Sequence, residues 1–290
     1  IVVSAEARVS WLEISRRRAS LDYYFPSFLG ENLRAFVHLE KTHEKKSRND
    51  IDVRYWEDNF IIGLFMENRI GDFFRIRSGV MHNGYRLFDL ETGETPPSIV
   101  NDNYEMLGYY QAQLMFEFRH PEERYRRDKH FLATLKLDYL IHEHEDNFFM
   151  LQVDIRKTFQ RKLDDIMFRF NEMHIFSGRG FYRDYDLTKY MLRGYDGNEL
   201  FTRHAWMLSS EYRMAVYHDI IKYLFFVDSA VFIPIRYDNG TRNGKLMVRT
   251  SVGQGLEFNF HEWSVKVYYG IPSHKEVLDG KVHLAIQKVF

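Results

Sequence analysis

The chain has no cysteine, and that one absence removes thiol catalysis, thiolate metal sites and disulfides together. Only 6 prolines and 17 glycines are present, which excludes collagen-like repeats and low-complexity disorder. No apolar stretch is long. The longest clean one, Tyr223 to Val227, is about five residues against the roughly 20 that a transmembrane helix needs. Neither sign of charge prevails, because 40 Lys and Arg meet 41 Asp and Glu, so a nucleic-acid partner is not expected. What is abundant is aromatic: 4 Trp, 19 Tyr and 25 Phe among 290 residues. A polar average points to a soluble protein with one exception. A transmembrane β-barrel alternates lipid-facing and lumen-facing residues, and the two cancel.

Alternation with a period of two is the dominant pattern. Between Lys281 and Phe290 one face carries Val282, Leu284, Ile286 and Phe290, and the other carries His283, Ala285 and Gln287. Between Glu262 and Ile271 the apolar set is Trp263, Val265, Val267, Tyr269 and Ile271. Between Met247 and Phe260, Val248, Val252, Leu256, Phe258 and Phe260 oppose Arg249, Ser251, Gly253, Gly255 and Glu257. A helix would scramble these sets. The same period recurs at 60–66, 74–80, 110–118, 131–141 and 149–155, with further strands expected at about 2–12, 18–26 and 33–43. Short connections alternate with longer polar ones at Asp89–Asn103, Gly178–Arg203 and Tyr237–Gly244. Pro26, Pro96, Pro97, Pro121, Pro234 and Pro272 all fall in connections or at strand ends, where no ladder hydrogen bond is lost.

These features predict an all-β protein: a transmembrane antiparallel barrel with about 14 strands of roughly 10–12 residues, occupying 1–290 as one domain. A soluble sandwich or lipocalin-like barrel also alternates. Rows of charge on the polar faces, aromatic tips on the apolar ones, and the number of long strands argue against it. Ser229, Thr250 and Gln254 are polar exceptions on faces assigned to lipid. The chain opens at Ile1 without Met, which is expected of a C-terminal portion of a longer protein.

Three polar residues stand out. In Ala205–Tyr217 the even positions are mostly apolar, which puts Glu211 and Arg213 on the opposite face. In Ile221–Ile233 the odd positions look to lipid, which places Lys222, Phe226, Asp228 and Ala230 inside. As hairpin partners the two strands send Glu211 and Asp228 into one lumen. The long connection before them carries Leu192-Arg193-Gly194-Tyr195. An arginine folded back there would bridge both carboxylates with its planar fork. Spacing alone favours a plainer reading, with Arg193 a solvated loop residue and the acids lining a wet pore.

From about Phe181 to Phe290 the chain resembles the outer-membrane protein assembly factor and two-partner-secretion translocator superfamily, also called the bacterial surface antigen family. The pieces that carry the resemblance are Leu192-Arg193-Gly194-Tyr195, Glu211-Tyr212-Arg213, Phe226-Val227-Asp228-Ser229-Ala230, Ser251 to Leu256 with Gly253 and Gly255, Val267 to Pro272, and the terminal strand Val282–Phe290. Their order and spacing agree with the family, and only Leu192, where Val or Ile is frequent, departs from it. The resemblance implies a barrel of about 16 strands with a surface loop folded inward. In it Arg193 contacts Asp228 and Glu211, and a weakly paired seam lies between the Val282–Phe290 strand and a first strand at or before Ile1. It also implies periplasmic domains ahead of the barrel, a bacterial or organellar outer membrane, its lipids, unfolded outer-membrane or secreted polypeptides as substrates, and accessory lipoproteins as partners.

Competing motifs are weaker. Arg179-Gly180-Phe181 is a second Arg-Gly-aromatic triplet, but Arg193 has the hydrophobic residue before it and the better spacing to Glu211. His142-Glu143-His144-Glu145-Asp146 and His43-Glu44-Lys45-Lys46 read as solvated loops rather than metal clusters. Ser209, Ser210, His204 and Asp228 are a poor triad on a barrel wall. With no phosphate loop, HExxH or nucleophile elbow, no catalytic residue, metal or cofactor is expected. The alternatives to assembly or translocation are a carrier barrel fused to a patatin-like lipase and a passive porin.

Overall fold

The computed structural model describes residues 2–10, 13–25, 33–48, 53–71, 73–92, 107–119, 131–142, 147–176, 184–189, 192–195, 200–218, 220–235, 237–238, 241–242, 244–260, 263–274, 276 and 279–288. Apart from one 3-10 turn at Leu187–Lys189, the regular structure there is β. The first half comprises β1 (Val2–Ser10), β2 (Glu13–Tyr24), β3 (Leu33–Arg48), β4 (Val53–Ile70), β5 (Phe74–Thr92), β6 (Leu107–Arg119) and β7 (Phe131–His142). The second half comprises β8 (Phe148–Arg161), β9 (Asp164–Phe176), β10 (Tyr185–Asp186), β11 (Phe201–Tyr217), β12 (Ile221–Pro234), β13 (Tyr237–Asp238), β14 (Thr241–Arg242), β15 (Met247–Phe260), β16 (Trp263–Pro272) and β17 (Lys281–Lys288).

Fourteen of these strands form one antiparallel meander in sequence order from β1 to β17, which is the expected count. Short β10 adds to the start of β11, and β13 pairs with β14 as a separate hairpin. The end strands β1 and β17 are not paired with each other among the described residues. Connections at one end of the sheet include the tight turns β4–β5, β8–β9, β11–β12 and β15–β16, and the long connections β5–β6, β9–β11 and β12–β15 lie at the other. That asymmetry is usual for outer-membrane barrels.

Burial alternates with the pleat, but inside out. On β12, Leu224 and Asp228 are 0% exposed while Val227 between them is 52% exposed. Phe60, Ile62, Leu64, Val80, Leu208 and Phe225 also lie on the exposed outer face, whereas Glu67, Asp138, Asp165, Asn171, Glu211 and Glu257 are buried on the inner one. Soluble monomers rarely expose large contiguous apolar patches, and hydrocarbon is the solvent that suits this outer face. The sheet curls far enough that the inner faces of β2 to β9 surround a cavity of about 490 Å³, from Asp22 round to Ile175.

Described residues of the long connection between β9 and β11 pack inside the sheet on its other side. Tyr185, Leu187, Leu192 and Tyr195 pack on Met173, Ile175, Ala205, Met207, Ala230 and Phe232 of β9, β11 and β12. Full burial of an aliphatic side chain such as Leu187 or Leu192 is worth about 1.5–3 kcal/mol, which draws the loop into the lumen. The polar exceptions on the lipid face are accounted for in pairs. Tyr223 donates its hydroxyl to Gln254 Oε1 at 2.5 Å, and Ser229 stands opposite Thr250.

Two expectations need correction. His43, Glu44, Lys45 and Lys46 are not a solvated loop, because β3 runs through them to Arg48. His43 stacks on Trp56 at 4.5 Å and bonds Asp58 at 2.6 Å, and Lys46 pairs with Glu57 at 2.7 Å. Strands β4 and β5 likewise extend well past 60–66 and 74–80, to Val53 and Thr92. Cross-strand ion pairs and ring stacking hold these polar ends, where the hydrophobic period fades. Pro234 and Pro272 close β12 and β16, as expected; Pro26, Pro96, Pro97 and Pro121 lie outside the described residues.

A lipid-facing wall makes the cost of charge depend on depth. Val227→Lys, halfway along β12, is expected to cost about 2–4 kcal/mol of folding stability in a bilayer, and Val216→Lys, near the end of β11, about 0–1 kcal/mol. Equilibrium refolding into lipid vesicles, followed by tryptophan fluorescence, measures both, and equal costs would contradict the assignment of the outer face.

Candidate functional site

The site is built on the hairpin β11–β12. Its register places Ser209 opposite Asp228 and Glu211 opposite Phe226, and all four side chains are on the inner face. Both carboxylates are nearly out of contact with solvent, with side chains 0% exposed at Asp228 and 5% at Glu211. Two buried negative charges on neighbouring strands are untenable without a cation.

Arg193 supplies it. Its Nε donates to Asp228 Oδ2 at 2.8 Å and its Nη2 to Asp228 Oδ1 at 2.8 Å, the two-pronged match of guanidinium to carboxylate. Its backbone N–H donates to the same Oδ2 at 3.1 Å, so the chain as well as the side chain is fixed. Nη2 also reaches Ser209 Oγ at 3.2 Å, Nη1 pairs with Glu211, and Ser209 donates its hydroxyl to Asp228 Oδ1 at 2.6 Å. The guanidinium carbon lies 3.7 Å from the centre of the Phe226 ring and 5.5 Å from that of Tyr268. Arg213 donates to the other Glu211 oxygen at 2.6 Å and begins a run of inner-wall charges, with Lys266 3.4 Å from Glu257 and Lys222 2.8 Å from Asp165.

Gly194 explains how the loop comes so close. Its φ is +101°, and a Cβ there would fall 2.6 Å from the carbonyl carbon of Gly270 and 2.8 Å from its oxygen. Backbone lies directly on backbone, which only glycine permits. The Gly194 N–H donates to His283 Nε2 on β17 at 3.1 Å. Tyr195, 2% exposed, donates its hydroxyl to the Thr250 carbonyl at 3.0 Å and stacks on His274 at 5.5 Å. Gly253 makes room for Phe226, since a Cβ there would collide with that ring and with the Tyr269 carbonyl oxygen; at Gly255 the obstacles would be the Val267 carbonyl and Tyr268.

The structure thus brings together Arg193, Gly194, Tyr195, Glu211, Asp228, Phe226, Gly253 and Gly255. The terminal-strand residues Val282 and Leu284 lie apart, on the exposed outer face of β17 opposite Tyr269 and Val267. Ile286 pairs through its backbone with Val265, and Phe290 lies outside the described residues, as do residues 143–146 and Arg179-Gly180-Phe181. His204 bonds His174 at 3.1 Å on the face that carries Trp206 and Leu208, opposite to Ser209 and Asp228, so these residues do not form a triad. Among the described residues no group of three metal-ligating side chains occurs.

Several contributors were not singled out from sequence. Ser209 was readable from the hairpin register. Another buried ion pair, Arg203 Nε to Asp184 Oδ1 at 2.8 Å, fixes the root of the loop, and Asp186 Oδ1 accepts from the Thr188 N–H at 3.0 Å. Neither pair has a periodic signal, nor has the seating of Tyr195 on His274.

A curved antiparallel wall with its own connection pinned inside defines the class: a plugged membrane barrel. Over 94% of its length the chain superposes on BamA from Haemophilus ducreyi lacking POTRA domains 1–3, with a TM-score of 0.71 at 12% identity. CdiB from Acinetobacter baumannii matches over 93% with a TM-score of 0.62 at 12% identity, and CdiB from Escherichia coli over 93% with 0.58 at 9%. The chain spans 61%, 50% and 52% of those three structures, so it corresponds to part of each. No family model and no curated protein matches the sequence. The fold is that of the BamA and CdiB barrels.

Gly194→Ala is the sharpest test of the loop's seating. Backbone strain and the contact with Gly270 are expected to cost about 1–3 kcal/mol and to lift the tip. Protease added outside intact membranes should then cut the β9–β11 connection faster; an unchanged cleavage rate would mean that the close approach is dispensable.

Proposed function

We propose that this chain is the barrel of a non-enzymatic outer-membrane protein of the assembly-factor and two-partner-secretion translocator superfamily, which inserts or translocates polypeptides. The single observation that carries this reading is the loop tip pinned by Arg193 to Asp228, Ser209 and Glu211 inside the wall. A passive porin keeps its lumen open to small solutes, whereas here Leu187, Leu192 and Tyr195 fill one side of it. The likeness to BamA and CdiB barrels supports both branches, outer-membrane protein insertion and polypeptide translocation.

Unfolded outer-membrane or secreted polypeptides are the substrates, membrane lipid is the solvent of the outer face, and periplasmic domains and accessory lipoproteins are the partners in this reading. An edge strand such as β17, paired with β16 alone among the described residues, is a template on which an incoming strand can pair. No step in this activity needs a bond to be made or broken in the substrate, so neither a catalytic residue nor a cofactor is required.

Arg193→Ala and Asp228→Ala are expected to lower activity several-fold without abolishing barrel formation. The full-length protein in vesicles is assayed for insertion of an unfolded eight-stranded barrel and for uptake of an unfolded secreted polypeptide, which separates the two branches. Full activity of both variants in both assays would remove the functional role of the contact.

A further inference from the structure

The loop tip touches more than the wall that carries its carboxylates. Gly194 donates its N–H to Nε2 of His283, which lies on β17, the last strand of the sheet. The His283 ring stacks on Tyr268 of β16 at 5.6 Å and 27°, and Tyr268 meets Phe226 edge-on at 6.0 Å. Phe226 in turn lies under the Arg193 guanidinium. A continuous path therefore runs from Asp228 through Arg193 to β17, one branch by the Gly194 hydrogen bond and the other by ring contacts, edge-on and then stacked.

β17 has eight residues and pairs only with β16 among the described residues. A strand held on one edge opens more readily than one held on two. The contact from Gly194 reaches it from a different direction, out of the plane of the sheet, and its acceptor is a side chain that only one position supplies.

We infer that His283 is a positioning residue that couples the seating of the Arg193–Gly194 tip to the order of the last strand. The inference rests on the proposed polypeptide-handling function for its purpose, but its physical content does not. When the tip sits against Asp228, His283 holds β17 in place on β16. When the tip lifts, β17 loses that support and its outer edge becomes easier to open. Coupling of this kind is reciprocal, so loosening β17 must also loosen the tip.

Hydrogen exchange on the full-length protein in lipid nanodiscs tests this. His283→Phe keeps a ring against Tyr268 but has no acceptor for the Gly194 N–H, whereas His283→Gln supplies one. His283→Phe should raise exchange of the 192–195 segment and of β17 together, about fivefold or more, with β9, β11 and β12 unchanged. His283→Gln should return both to within about twofold of wild type, and Arg193→Ala should raise exchange in β17 although its carboxylate partners Asp228 and Glu211 lie on β12 and β11. The inference is overturned if β17 is indifferent to His283→Phe or to Arg193→Ala, if Gln is as loose as Phe, or if the whole sheet loosens uniformly. The insertion and uptake assays are run on the same samples. A wild type inactive in both, with the expected exchange pattern, would sink the functional reading and leave the coupling standing.

Discussion

The structure depends on one guanidinium. Asp228 and Glu211 are carboxylates that the barrel wall removes from water, and neither tolerates that burial alone. Arg193 answers both, while Ser209 and its own backbone N–H fill the remaining acceptor positions of Asp228. The need is mutual: the wall would be left with unpaired charge without the loop, and the loop would carry an unpaired cation into a confined lumen without the wall. Such an arrangement selects one conformation more than it adds stability. The alternatives, with the tip out, are penalised on both sides at once.

Around that contact the ordinary logic of a protein interior is reversed and then restored. The wall turns its apolar side chains outward and its charges inward, as hydrocarbon demands. The inner wall keeps one small apolar cluster of its own at Phe36, Phe65 and Met81, and the long connection brings another on the far side. Leu187, Leu192 and Tyr195 make with Met207, Ala230 and Phe232 a small dry cluster inside a polar cylinder, beside the ionic contact. Direction comes from the ion pair and driving force from the apolar burial. Glycine at 194 and 270 lets the two backbones approach closely enough for both to act together.

Much of this was legible before any coordinates. A two-residue period over β11, β12, β15, β16 and β17 fixes strand, face and neighbour, and in β11 and β12 the inward direction of Glu211, Phe226 and Asp228. Hairpin register then places Ser209 beside Asp228. The ends of β3, β4 and β5 were not legible. Beyond the apolar band both faces of a strand are wet, the hydrophobic period vanishes, and a run such as His43–Lys46 looks like a loop even though Asp58 and Glu57 pair with it. Contacts such as Asp184–Arg203 and Tyr195–His274 join loops to distant elements and leave no local trace. That Arg193 folds inward at all came from family resemblance, because spacing by itself favoured the plainer reading.

The length of β4 and β5 has a consequence for their polar ends. With 18 and 19 residues, β4 and β5 measure about 60 Å along the chain, so at the usual tilt they overshoot an apolar layer of about 25 Å and stand as a parapet above it. Cross-strand pairs such as Lys46–Glu57 then stand outside the hydrocarbon, which spares them the cost of charge in an apolar layer.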